Sequence, residues 1–163
     1  MTTLRTARLL LRRATMDDLP AFWEILSDPR AMRFWSTPPH GDIGITRQWV
    51  ANMVAMADAG TDFVWELDGR VIGKGGAYAM PEIGFILHPD FWRMGVAREA
   101  MNAIIPYLFK QTDTLTADVD PDNPASIALL TSLGFKETHR AQNTFCINGV
   151  WTNSVYFARR RPT

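Results

Sequence analysis

The chain has a single cysteine, Cys146, among its 163 residues. No disulfide can therefore close within it, which suits a reducing cytoplasm. It has no net charge, because Lys+Arg and Asp+Glu stand at 17 each. Nucleic-acid binders normally carry a basic excess, so a nucleic-acid partner is not expected. No apolar run reaches the length of a membrane span, so no membrane partner is expected either. The Met1–Thr15 stretch has only Leu9-Leu10-Leu11 as an apolar run, with arginines around it, too short for the core of a signal peptide. No Cys/His cluster has metal-ligand spacing, and no metal is expected. No repeat, low-complexity tract or Rossmann Gly-x-Gly-x-x-Gly is visible. Gly73-Lys74-Gly75-Gly76 lacks the spacing of a phosphate-binding loop and falls in a strand region.

What is present is ordinary globular composition: 47% hydrophobic and 21% charged residues. The length fits one domain over residues 1–163. Six tryptophans are expected mainly in the core, secondarily lining an apolar pocket. Leu9-Leu10-Leu11 opens a strand. Thr15 reads as a helix N-cap with Asp18 three residues on, followed by Leu19, Phe22, Trp23 and Leu26 at helical spacing. A second helix is predicted from Thr46 to Ala59, with Gly60 as C-cap. Between them Phe34-Trp35-Ser36-Thr37-Pro38-Pro39 is too aromatic for an inert linker.

Phe63, Trp65 and Leu67 alternate as a strand, and Asp68-Gly69 is a hairpin turn into Val71-Ile72. Ile83–Leu87 is continuously apolar, as for a central strand covered on both faces. Ala97, Met101, Ile104, Ile105 and Leu108 mark a third helix. Leu115, Ala117 and Val119 alternate as a strand. Asn123-Pro124 starts a fourth helix, Asn as N-cap and Pro at the first helical position, and Gly134 closes it. From Phe135 to Arg159 a meander turns at Asn148-Gly149. The order implies a mixed α/β (α+β) sandwich.

The stretch from Glu82 to Ala100 carries the chemistry. It is a buried strand, a short loop and a helix opening at Gly95. A helix start offers unpaired N–H groups and a positive dipole end, a geometry that holds a pyrophosphate. Gly95 and Ala97 permit close approach to the backbone, and Arg93 and Arg98 add charge. An ordinary strand-to-helix connection has the same outline.

Trp92-Arg93-Met94-Gly95-Val96-Ala97 resembles the acyl-coenzyme A loop of the GNAT superfamily, Gln/Arg-x-x-Gly-x-Gly/Ala. The nearest match is its ribosomal-protein N-terminal acetyltransferase branch, where Trp often fills the first slot and Glu-Ala follows, here Glu99-Ala100. Asn123 to Phe135 resembles the branch's Asn-x-x-Ser…Gly-Phe helix. Asn148-Gly149, Tyr156–Arg159 and the N-terminal Arg-Leu-Leu-Leu-Arg run echo it further. The departures are Arg93 where many members have Gly, Met94 where they have Lys, Arg or Gln, and Asn153 where the branch often has Asp. Leu130 occupies the slot in which many GNAT enzymes place the tyrosine that protonates the thiolate.

The resemblance implies a mostly antiparallel central sheet flanked by about four helices, and transfer of acetyl from acetyl-CoA to a primary amine by direct attack on the thioester. It implies a cofactor site at Ile86, Leu87, His88, Trp92, Arg93, Met94, Gly95, Val96, Ala97 and Asn123, with backbone N–H groups at Ile86–His88 polarising the carbonyl. It assigns Ser126 as the thiolate's acid. Glu82, at the start of the central strand, is the first candidate base. His88 precedes Pro89 at a turn, where a structural role fits better. Phe34, Trp35 and Trp151 are candidates for the acceptor pocket, or for closing the core. Cys146 reads as a buried small hydrophobe. The acceptor is a protein N-terminus or a small molecule, and the chain a monomer or homodimer. A non-catalytic acyl-CoA sensor on the same fold is the alternative.

Overall fold

The computed structural model describes residues 2–163. Eight strands form one sheet in the order β1-β2-β3-β4-β5-β6-β8-β7. In chain order the elements are β1 (Leu4–Arg5), β2 (Leu9–Arg12), α1 (Leu19–Leu26), α2 (Ile43–Ala55), β3 (Asp62–Leu67), β4 (Arg70–Ala79), β5 (Glu82–Leu87), α3 (Val96–Leu108), β6 (Thr114–Val119), α4 (Pro124–Ser132), β7 (Lys136–Ile147) and β8 (Val150–Arg160). All neighbouring strands are antiparallel except β5 and β6. The expected mixed, mostly antiparallel sheet with four α-helices is therefore present.

Two apolar clusters lie on the two sides of the sheet. One joins α3 residues Met101, Ile104, Ile105 and Leu108 to Phe63, Ile83, Leu115, Val155 and Phe157. The other joins α1 residues Phe22, Ile25 and Leu26 and α2 residue Val50 to Val64 and Ile86. Strand β5 feeds both, Ile83 to one side and Ile86 to the other, as its unbroken apolar run requires. Asp68-Gly69 and Asn148-Gly149 make their turns with positive φ at both central residues, the condition that Asn-Gly and Asp-Gly meet at least strain. Before α1 the Asp18 carboxylate accepts from the Thr15 N–H at 2.8 Å, and Arg12 bridges Asp18 (2.7 Å) and Glu66 (2.8 Å), compensating a buried charge.

Four details differ from the sequence reading. Helix α2 begins at Ile43, because the Asp42 side chain caps it by accepting from the Gly44 N–H, and Thr46 is buried inside it against His40. Its predicted last turn is a separate 3-10 segment, Ala57–Ala59, ended by Gly60 in the left-handed region. The short β1 pairs with β2 ahead of the first predicted strand. Cys146 is exposed, not buried, because the β7–β8 hairpin runs beyond the helices that cover the sheet. Of the six tryptophans only Trp65 is fully buried.

Candidate active site

The centre of the sheet opens between β5 and β6. Their pairing consists of Glu82 with Thr116 and Ile83 with Ala117, and then stops. Beyond Ile83, β5 keeps its antiparallel partner β4 as far as Leu87 but has none on the other edge. The His88 N–H donates to Ile72 on β4 at 2.7 Å. By the two-residue alternation of a strand, Ile86 also faces β4, while the amides of Phe85 and Leu87 face the opening. Of the expected Ile86–His88 donors, Leu87 is the one so placed, joined by Phe85. The indole N–H of Trp92 reaches back to the Leu87 carbonyl at 3.0 Å and ties the following loop to this edge.

Parallel neighbours end at the same side of a sheet. Helix α3 follows β5 and α4 follows β6, so both N-termini flank the same mouth of the opening. At α3 the chain turns through positive φ at Arg93 and Gly95. No amide from Arg93 to Arg98 donates to a protein acceptor, the first bond of the helix being Glu99 N–H to Gly95 at 3.0 Å. This row of free donors at a helix start is a fitting cradle for a pyrophosphate. Trp92 and Met94 stay about half exposed beside it. At α4, Asn123 caps the helix: its Oδ1 accepts from the Ser126 N–H (3.3 Å) and its Nδ2 donates to the Ser126 hydroxyl (3.0 Å).

Glu82 lies at the opposite end of β5, about 16 Å from Leu87 at 3.3 Å per residue. It is not alone. Burial, followed by the neighbouring Glu82 carboxylate, raises the Tyr78 pKa. Asp118 is one residue past the last β5–β6 pair. Alternation puts it on the same face as Glu82 and Gly84, away from Ile83 and Ala117. Burial raises its carboxyl pKa, against a hydrogen bond from Ser154 that lowers it. Ser154 is buried and shares a 2.6 Å hydrogen bond with Thr144. Tyr78, Asp118 and Ser154 went unread in the sequence. Asp118 had a signal, a charge on the polar side of a central strand; Tyr78 had none.

Beside Tyr78 is a pocket of about 250 Å³, walled by Trp49, Met53 and Met56 of α2 and its extension and floored by Thr61, Asp62 and Lys74. The remaining candidates lie elsewhere. His88 is buried, accepts from the Asp90 N–H at 3.0 Å and contacts Glu24 at 2.8 Å. Trp35 packs half-buried against the α1–α2 cluster, and Phe34 is half-buried under the Arg33 guanidinium. Trp151 is exposed near the hairpin tip, alternating with Ser154 and Tyr156 so that it takes the other face. Among the described residues no group of three metal-ligating side chains occurs, and no helix is long and apolar enough to cross a membrane.

A sheet parted between two parallel strands, with a donor-lined helix start at its mouth and carboxylates at its closed end, defines an acyl-coenzyme A-dependent transferase. Residues 8–136 match the acetyltransferase (GNAT) domain family, and the chain belongs to that family. An uncharacterized N-acetyltransferase p20 of Bacillus licheniformis is 31% identical over 150 residues, covering 84% of each chain. The fold matches a GNAT-family acetyltransferase from Bacillus anthracis with TM-score 0.84 at 23% identity, over 98% of both chains. It also matches RimL, a ribosomal L7/L12 α-N-protein acetyltransferase solved with coenzyme A, with TM-score 0.83 at 17% identity and 98% coverage of both. The chain is an N-acetyltransferase that uses acetyl-CoA.

Proposed function

We propose that the acceptor is an amine of low pKa with an apolar neighbouring group, a protein N-terminal α-amine being the class that fits best. The observation that carries this reading is the opening itself: free amides at its α3 mouth, and Glu82, Asp118 and Tyr78 around its closed end, next to an apolar wall. Acetyl-CoA supplies the activated acetyl group. The Phe85 and Leu87 amides face the position where a thioester oxygen would develop charge; such donors contribute about 3–4 kcal/mol each where measured. Glu82 and Asp118 hold the incoming ammonium and take its proton, Asp118 being the better base of its type because burial raises its pKa. Ser126, whose oxygen already accepts from Asn123, keeps its own proton free for the thiolate.

Carboxylates are weak bases, and the amine must be neutral to attack. An α-amine titrates near 7.7–8.0 and lysine near 10.4, a gap of about 2.5 units or about 3.4 kcal/mol. This favours the α-amine. The wall of Trp49, Met53 and Met56 accepts an apolar first side chain, and the carboxylate on the floor, Asp62, is already paired with Lys74. The test is a panel of peptides with free N-termini, amino acids, polyamines and aminoglycosides, scored by kcat/KM. N-terminal peptides with apolar or small first residues should lead. Polyamines leading the panel would overturn the acceptor class and leave the acetyltransferase in place. Gly95→Trp should abolish acetyl-CoA binding in calorimetry while the fold persists.

A further inference from the structure

We propose that Arg8, in the turn between β1 and β2, is a positioning residue that shapes the pyrophosphate loop for acetyl-CoA. The inference rests on the loop being the phosphate site. Arg8 is 91 residues from Glu99 in sequence, yet its Nε donates to Glu99 Oε2 at 2.7 Å and its backbone N–H to Oε1 at 2.8 Å. The Thr6 hydroxyl donates to the same Oε1 at 2.6 Å. The third contact matters most: Arg8 Nη2 donates to the Met94 carbonyl at 3.0 Å.

The Met94 carbonyl and the Gly95 N–H belong to one peptide unit. That unit is planar and trans, so its C=O and N–H point in opposite directions. Holding the carbonyl on the Arg8 side fixes the Gly95 N–H on the other, within the row of free donors that runs from Arg93 to Arg98. Gly95 sits at φ 72°, where a glycine peptide is otherwise free to flip. Arg8 removes that freedom before the ligand arrives.

Charge makes the same case. Glu99 is in the first turn of α3. A carboxylate there suits the helix dipole but opposes a pyrophosphate at the same terminus. Arg8 neutralises it at ion-pair distance. Burial alone would raise the Glu99 pKa; the hydrogen bonds from Thr6 and Arg8 hold it below its usual value, so the carboxylate stays ionised and the clamp intact. A lysine cannot reproduce the arrangement. It offers a point charge on a flexible stem, whereas the guanidinium fork serves Glu99 and Met94 together.

The experiment is calorimetry of acetyl-CoA binding to the parent, Arg8→Ala and Arg8→Lys proteins, with thermal melts of each without ligand. We expect Arg8→Ala to weaken binding about tenfold, equivalent to about 1.4 kcal/mol, with Arg8→Lys recovering little of it and both variants melting cooperatively. In kinetics the loss appears in the KM for acetyl-CoA and not in the KM for the acceptor. An Arg8→Ala affinity within twofold of the parent overturns the proposal, and so does full recovery by Arg8→Lys, which would leave only net charge. A parent protein that fails to bind acetyl-CoA overturns the loop assignment itself, a result distinct from either.

Discussion

The ring of Tyr78 lies over Gly84 so closely that a Cβ on Gly84 would stand 3.3 Å from its Cδ1 and Cε1. Gly84 is the first residue of β5 beyond its last pair with β6. The glycine therefore admits the ring to the closed end of the opening where Glu82 and Asp118 lie, and the ring forms one side of the pocket under α2. Gly84→Val should displace the ring and raise the acceptor KM by about tenfold or more. Acetyl-CoA affinity should change little, because the loop at Gly95 is at the other end of the strand. Steady-state kinetics with each substrate varied in turn checks this. Equal losses for both substrates would mean that the strand itself had moved.

Ser126 is held from two directions. Its N–H is bound by the Asn123 side-chain oxygen and its hydroxyl oxygen by the Asn123 amide. Only the first contact stabilises the helix start, and it survives truncation of the side chain. Ser126→Ala should therefore fold normally and leave the KM for acetyl-CoA near the parent value. If the hydroxyl protonates the departing thiolate, kcat should fall by about a hundredfold, in the lower range for a general acid. Stopped assays at saturating substrates give the number. A variant with full kcat would make Ser126 a helix-terminal residue only.

His40 gives the fold a pH dependence. It is buried, its Nδ1 is 2.7 Å from the Thr46 hydroxyl, and its backbone N–H donates to Leu26 at 2.8 Å, joining α1 to α2. Burial holds its pKa below the ordinary histidine value of 6.5. The unfolded chain then binds more protons than the folded one just below pH 6.5, so stability rises with pH through that window and is level above it. Asp118 acts with the opposite sign, its raised pKa favouring the fold at the acid end, just above the ordinary carboxylate value of 3.8. Melts of the parent should show Tm falling from pH 7.5 to 5.5, and His40→Gln should flatten that slope. A parallel slope in the variant would assign the dependence to other groups.

The order of strands and helices was legible because periodicity is local. Leu115, Ala117 and Val119 alternate wherever the strand goes, and Asn123-Pro124 caps a helix whatever it packs against. The loop around Gly95 was legible for the same reason. Contacts made across the chain were not. Nothing near Arg8 announces Glu99, and nothing near Tyr78 announces Gly84. Cys146 was misread because alternation with Phe145 and Ile147 says that a strand has two faces, not that either is covered. Trp92, Trp151 and Met94 are exposed for related reasons: apolar character records a residue's preference, while burial depends on which elements the topology brings above it.

Trp35 separates two uses of an aromatic side chain. It packs half-buried against the cluster of Phe22, Ile25, Leu26, Val50 and Ile86, while Trp151 is 58% exposed on the hairpin. Truncating a fully buried Trp costs about 3–5 kcal/mol. Half of that, about 2 kcal/mol, lowers Tm by about 4–8 °C in a chain of this size. Trp35→Ala should show that drop with the acceptor KM little changed, whereas Trp151→Ala should leave Tm within a degree or two. Ile86 makes the first result informative, since it is on the α1–α2 face of β5, directly between Phe85 and Leu87 whose amides face the opening. A core loosened at Trp35 would loosen that strand as well, so kcat should decline with the melting temperature rather than ahead of it. A raised acceptor KM with an unchanged melt would instead put Trp35 in the acceptor pocket.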